Sequence, residues 1–104
     1  MKAAALALYG LLPTAGSASD FTAGKVISDM NAAEQYSYLA GLTEGLAYAR
    51  YRADGSMTNG MTCIYQWFYD EDGTFDVILA AFAKFQERTP GAIMAALIQR
   101  RCDA

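Results

Sequence analysis

Histidine is absent from the chain of 104 residues, and cysteine occurs only twice, as Cys63 and Cys102. Without histidine there can be no histidine-based catalytic triad and no histidine acid–base pair. Two cysteines alone also fall short of the donor set of a zinc site. The acidic run at residues 70–72 lacks the ligand spacing of a calcium loop. We therefore predict a protein that is not an enzyme and that holds no cofactor or metal.

Basic residues are also few, since eight lysines and arginines stand against eleven aspartates and glutamates. They form no basic stripe of the kind that nucleic-acid-binding proteins carry. Long hydrophobic runs are missing as well, because the apolar run at residues 3–12 is much shorter than the roughly 20 residues that cross a bilayer. We expect neither a nucleic-acid partner nor membrane insertion of the mature chain.

The first 19 residues have the order of features that is typical of a secretory signal. Lys2 precedes the apolar run, Pro13 ends it, and the small residues at positions 15–19 follow. We predict cleavage after Ala18 or Ser19, which divides the chain into a signal peptide, 1–19, and a domain, 20–104. The domain keeps seven basic and eleven acidic residues, a net charge of −4, because only Lys2 is lost. The product is expected to be exported.

Export bears on the two cysteines, because disulfides persist in oxidising compartments. A bridge between Cys63 and Cys102 would close a loop of about 40 residues, which the chain-entropy model values at about 4 kcal/mol. Such a bridge would matter in a mature chain whose core is small. We predict this disulfide; a pair of free thiols is the alternative.

Apolar residues at spacings of three and four predict helices, and no alternating run predicts a strand. The expected elements are a short helix capped by Asp20, a second helix over about Ala32–Ala53, a loop at residues 54–61, a third helix from near Asp72 or Thr74, and a fourth that begins at Pro90. The third helix should bury a stripe that ends at Phe85, and its first turn should collect the carboxylates of residues 70–72 and Asp76. The domain is predicted to be all-α, with four helices.

The second helix contains two glycines, Gly41 and Gly45. Each glycine inside a helix costs about 1 kcal/mol relative to alanine. Together with Ala49 they share one face, because residues four apart are neighbours on a helix. We interpret this face as a groove for the third or fourth helix, with a helix of a partner protein as the alternative. Glu44 and Arg50 argue against a membrane dimer motif.

Residues 64–72 combine four aromatic rings with three carboxylates: Tyr65, Trp67, Phe68, Tyr69, Asp70, Glu71 and Asp72. Aromatic side chains near the centre of an interface supply much of its binding energy, and an acidic rim steers a basic partner. We predict a loop that binds a partner protein through Tyr65, Trp67, Tyr69 and the three carboxylates. Burial over the core is the alternative, favoured for Trp67 and Phe68 and disfavoured for Tyr65 and Tyr69.

The order of these features resembles the Rap/Tai-type immunity proteins of type VI secretion systems. The resemblance rests on the signal, the run YLAGLTEGL, the CI dipeptide at Cys63, the TP break at Thr89 and Pro90, and the final cysteine. Those proteins are small, periplasmic and helical, with a general likeness to the acid-stress chaperone HdeA. This chain departs from them in two ways. It lacks an extra cysteine pair, one of them commonly at the position of Tyr36, and Tyr65 stands where a proline usually follows CI.

The resemblance implies a periplasmic, non-catalytic protein with an HdeA-like fold that binds and blocks a cell-wall amidase toxin. One alternative is a chaperone that exposes apolar surface at acid pH, when carboxylates lose their charge. Another is an exported helical domain without a toxin partner. A content of 54% hydrophobic residues is also compatible with a homo-oligomer.

Overall fold

A computed structural model describes residues 20–103, so the predicted signal peptide at 1–19 lies outside the described residues. Residues 20–103 form helices and no strand, which confirms the predicted all-α class. These residues form five α-helices where four were expected: α1 Ala23–Asp29, α2 Ala32–Ala53, α3 Asn59–Tyr65, α4 Thr74–Lys84 and α5 Pro90–Cys102. Helix α3 continues into a π-helical turn, Gln66–Asp70.

Helix α2 begins and ends where the apolar spacing predicted, at Ala32 and Ala53. Its start is fixed by a capping box, in which the Asn31 side chain accepts from the Glu34 amide and the Glu34 carboxylate accepts from the Asn31 amide, both at 2.9 Å. This exchange satisfies two amide groups that a helix start otherwise leaves unpaired. The start of α1 was predicted less well, because Thr22, and not Asp20, is its N-cap residue.

All five helices contribute buried residues to the core, and α1 packs mainly on α4. The largest fully buried apolar side chains come from four helices: Leu39, Ile64, Ile78, Phe82 and Met94. The predicted stripe of α4 is therefore confirmed at Ile78 and Phe82. Phe85 is 45% exposed, because α4 ends at Lys84 and Phe85 follows its last turn.

Helix α3 starts inside the segment that was predicted to be a loop. Gly55 and Ser56 do form a turn, with φ angles of 66° and 68°, but the helix begins at Asn59. Gly60 is buried against α2, and a Cβ at this position would collide with the guanidinium of Arg50. That guanidinium donates to Asp54 at 2.9 Å and to Asp103 at 2.8 Å. The glycine thus permits the close approach of α3 to the end of α2.

The predicted disulfide is present and joins α3 to the last residue of α5. The Cα atoms of Cys63 and Cys102 are 5.9 Å apart, and the two residues are separated by 39 positions in sequence. Arg101 reinforces the same junction, since its Nε donates to Glu71 at 2.8 Å. The C-terminal helix is therefore tied covalently and by an ion pair to the segment that carries the aromatic residues.

Within residues 20–103, none of the helices has both the length and the apolar character that crossing a bilayer requires.

Candidate protein-binding face

The aromatic segment is helical, and a π-helical turn determines which of its rings face outward. The amide of Glu71 donates to the carbonyl of Gln66 at 3.1 Å, a bond between residues five apart. Trp67 and Phe68, which are adjacent in sequence, are both turned inward in this segment and are each only 6% exposed. The Thr74 hydroxyl donates to the Trp67 carbonyl at 2.7 Å and so anchors the turn to the start of α4. Such π-turns are often found at functional sites.

The structure corrects two parts of the predicted binding loop. The segment is a helix and not a loop, and Trp67 is part of the core. Burial of Trp67 and Phe68, the alternative favoured for these two rings, is confirmed. An indole that is 6% exposed stabilises the fold through the apolar surface it removes from water. It offers little surface to a partner.

Tyr65 and Tyr69 face outward, and their hydroxyl groups converge on one carboxylate. Tyr65 donates to Glu44 Oε1 at 3.0 Å, and Tyr69 donates to Glu44 Oε2 at 3.2 Å. Glu44 is exposed on α2 and Tyr65 is half-buried, while Tyr69 is 45% exposed. Glu44 was not predicted as a site residue. The sequence contained one signal that could have pointed to it: Glu44 is the one charged residue between Gly41 and Gly45.

The contact with Glu44 shifts the titration of both tyrosines. Hydrogen bonding to Glu44 is the main cause that raises the pKa of Tyr65, with smaller contributions from burial and from the charge of Glu44. Burial is the main cause that raises the pKa of Tyr69, followed by its hydrogen bond to Glu44. Both phenols therefore stay protonated, and able to donate, to a pH above the usual range for tyrosine.

Tyr36 extends this aromatic surface toward the start of α2. Its ring centroid lies 5.6 Å from that of Phe68 and 5.7 Å from that of Phe75, and its side chain is 45% exposed. Phe68 in turn meets Tyr69 edge to face at 4.9 Å. The outer rings are thus packed on buried ones, which restricts their motion.

The structure also corrects the interpretation of the glycines in α2. Gly41 and Gly45 are exposed, and a Cβ built at either position would meet no atom within 4 Å apart from the adjoining residues and backbone of its own helix. Neither α4 nor α5 fills the expected groove over them. Ala49 is exposed as well and lies on the rim of an open groove that leads toward α5.

Glu44 and the two glycines lie on one exposed face of α2, because residues three and four apart are neighbours on a helix. We call the surface formed by Gly41, Glu44, Gly45, Tyr65 and Tyr69 the α2–α3 face.

The three predicted carboxylates do not act as one cluster. Asp70 and Asp72 are exposed and make no ion pair with any residue from 20 to 103. Glu71 is paired with Arg101 and so has a structural partner. Asp70, Glu71 and Asp72 also lie outside the first turn of α4, where Asp76 is the one acidic residue. Gly73, with a φ of 82°, separates the acidic run from that helix.

Across the part of the chain that the structure describes, no three histidine, cysteine, aspartate or glutamate residues are grouped so that they could hold a metal ion. Comparison of the chain with protein-family models, curated proteins and solved structures found no match.

Proposed function

We propose that the mature chain is a non-catalytic inhibitor of the immunity-protein type, which binds a partner protein through the α2–α3 face. One observation carries the proposal. Two outward-facing tyrosines are held by a single exposed carboxylate, beside two mid-helix glycines against which no described part of the chain packs.

The glycines support this proposal because the fold gives no reason for them. Each lowers the stability of α2 by about 1 kcal/mol relative to alanine, and the space above each is open. Departures from local sequence preference that bring no packing gain tend to occur at functional sites. A partner's backbone can approach α2 more closely at Gly41 and Gly45 than it could over larger side chains.

The tyrosines support the proposal because they are already held in place. Tyr65 and Tyr69 are linked to α2 through Glu44, and their ring centroids are 6.2 Å apart. Tyrosine offers a large contact area with few rotatable bonds, and rigid groups lose less entropy on binding. The face therefore has the rigid aromatic anchors that dominate many protein interfaces.

The partner class comes from the resemblance to Rap/Tai-type immunity proteins, and we propose a cell-wall amidase toxin in the periplasm. A small rigid domain would act by covering the enzyme's substrate cleft, which requires no chemistry from the inhibitor. The excess of acidic over basic residues would favour a basic partner by electrostatic steering.

The test is capture of a partner from periplasmic extract by residues 20–104, followed by affinity measurement and an amidase assay. We expect the double variant Tyr65→Ala/Tyr69→Ala to bind the captured protein at least about 100-fold more weakly, as for removal of two interface anchors. Phe85→Ala is the matched control, since Phe85 is an aromatic residue that is exposed to the same 45% as Tyr69 but follows α4.

The proposal is supported if the captured protein is an amidase that the wild-type chain and Phe85→Ala inhibit but the double variant does not. Equal binding by all three proteins would place the interface elsewhere. Capture of no protein under these conditions would count against an inhibitory role.

A further inference from the structure

The hydrogen bonds at Glu44 leave the centre of the α2–α3 face with acceptors only. A phenol has one proton to donate, and Tyr65 and Tyr69 both direct theirs to the Glu44 carboxylate. An ionised carboxylate accepts and does not donate, and it has about four lone-pair positions. The two phenols use two of these positions. The free lone pairs on the two carboxylate oxygens and the two phenol oxygens can only accept, so the group that pairs with them must be a donor from outside.

No cation of the described chain meets this need. The ion pairs among residues 20–103 join Arg50 to Asp54 and Asp103, and Arg101 to Glu71. Arg52, further along α2, directs its NH1 to the Tyr48 hydroxyl at 3.4 Å. The negative charge of Glu44 is therefore not compensated by an ion pair within these residues.

The surroundings of Glu44 suit a flat cation. The rings of Tyr65 and Tyr69 are tilted by 31° to each other, and aromatic faces attract cations, arginine more often than lysine. Gly41, three residues before Glu44 and its neighbour on the helix surface, adds no side chain that would hinder the approach. A guanidinium can donate two parallel hydrogen bonds to acceptors and stack on a ring at the same time.

We propose that Glu44, with the hydroxyl oxygens of Tyr65 and Tyr69, forms a docking site for an arginine side chain on the surface of the partner protein. This inference rests on the proposed function, because it names the group by which that partner is held. It predicts that the partner presents an exposed arginine at the centre of the surface it buries.

The first test uses two short peptides and residues 20–104 labelled with ¹⁵N. The peptides are acetyl-Gly-Arg-Gly-amide and the same peptide with citrulline, which keeps the shape of arginine but carries no charge. We expect the arginine peptide to shift the amide signals around Glu44, Tyr65 and Tyr69 in proportion to its concentration and without saturation, because a single exposed ion pair contributes little binding energy. Citrulline should give smaller shifts or none.

Glu44→Gln should abolish the shifts that the arginine peptide causes, because the amide lacks the charge and brings its own donors. Asp76→Asn is the control, since it removes an exposed carboxylate in the first turn of α4 and should leave the shifts unchanged. Equal shifts with both peptides, no shift with either, or shifts that persist in Glu44→Gln would overturn the inference.

The second test separates this inference from the proposed function. Glu44→Gln should weaken binding of a captured partner on the order of 10- to 100-fold, as loss of one partner of an interfacial charge pair does. If Tyr65→Ala/Tyr69→Ala abolishes that binding but Glu44→Gln leaves it intact, the binding face stands and the arginine site is wrong. If the arginine peptide binds at Glu44 but no protein is captured, the site stands and the inhibitory function fails.

Discussion

Replacing the two exposed glycines of α2 by alanine should make the isolated protein more stable. A Cβ at Gly41 or Gly45 meets no atom within 4 Å, so neither substitution has a steric cost. Each should raise the free energy of unfolding by about 1 kcal/mol, the difference in helix propensity between glycine and alanine. The double variant should gain about 2 kcal/mol, which for a domain of this size corresponds to roughly 8–16 °C in Tm.

Urea denaturation followed by circular dichroism measures this change, with the disulfide intact in all variants. Gly73→Ala is the matched control. It is the same substitution at a position where a Cβ also meets no atom within 4 Å, but the φ angle is 82°. A left-handed backbone disfavours a side chain by about 1–2 kcal/mol. We therefore expect Gly73→Ala to destabilise the fold while the two α2 variants stabilise it.

Loss of stability in Gly41→Ala and Gly45→Ala would refute this reasoning, because it would mean that something packs on the glycines in solution. Sedimentation of the wild-type chain over a range of concentrations would then show whether a second copy does so. If the account holds, the same two variants should bind the partner more weakly although they fold more stably. Such a trade-off is expected where function keeps a locally unfavourable residue.

Two further predictions concern the disulfide and the tyrosines. Replacing Cys63 and Cys102 by serine should lower the free energy of unfolding by about 2–4 kcal/mol, measured in urea; two reactive thiols in the denatured wild-type protein would contradict the bridge. Glu44→Gln should lower the pKa of Tyr65 and of Tyr69 toward the ordinary value of 10.0, observable by NMR of the ring carbons. Because both pKa values are raised in the folded protein, the stability these phenols contribute is present below about pH 10 and is lost as the pH rises through the raised values. An unchanged titration in Glu44→Gln would show that the hydroxyls do not donate to Glu44.

The helices that sequence spacing predicted are those whose signals are local. Helix α2 has a long pattern and a capping box at Asn31, and α5 starts at Pro90, where Thr89 caps it. Helix α3 has seven residues, which is too few for a helix to be stable by itself. Tertiary features hold it in place, namely the bridge from Cys63 and the contact of Gly60 with Arg50. Tertiary contacts of this kind leave no periodic trace in the sequence.

Only part of the α2–α3 face was predicted, because the rest of it also depends on tertiary contacts. The division between buried Trp67 and outward Tyr65 follows from crowding of rings in a short segment, which the sequence shows. The role of Glu44 depends on hydrogen bonds to residues 21 and 25 positions away, which require knowledge of how α2 and α3 are placed. Spacing likewise showed that Gly41 and Gly45 share a face, but not that nothing in the described chain covers it.

Hydrogen–deuterium exchange of the complex tests most directly whether the partner binds the α2–α3 face. We expect slower exchange at residues 36–48 and 65–70 when the partner is bound. The residues that follow α4, 85–89, should exchange at the same rate with and without it. Protection confined to residues 85–89 and α5, with none on α2, would contradict the account.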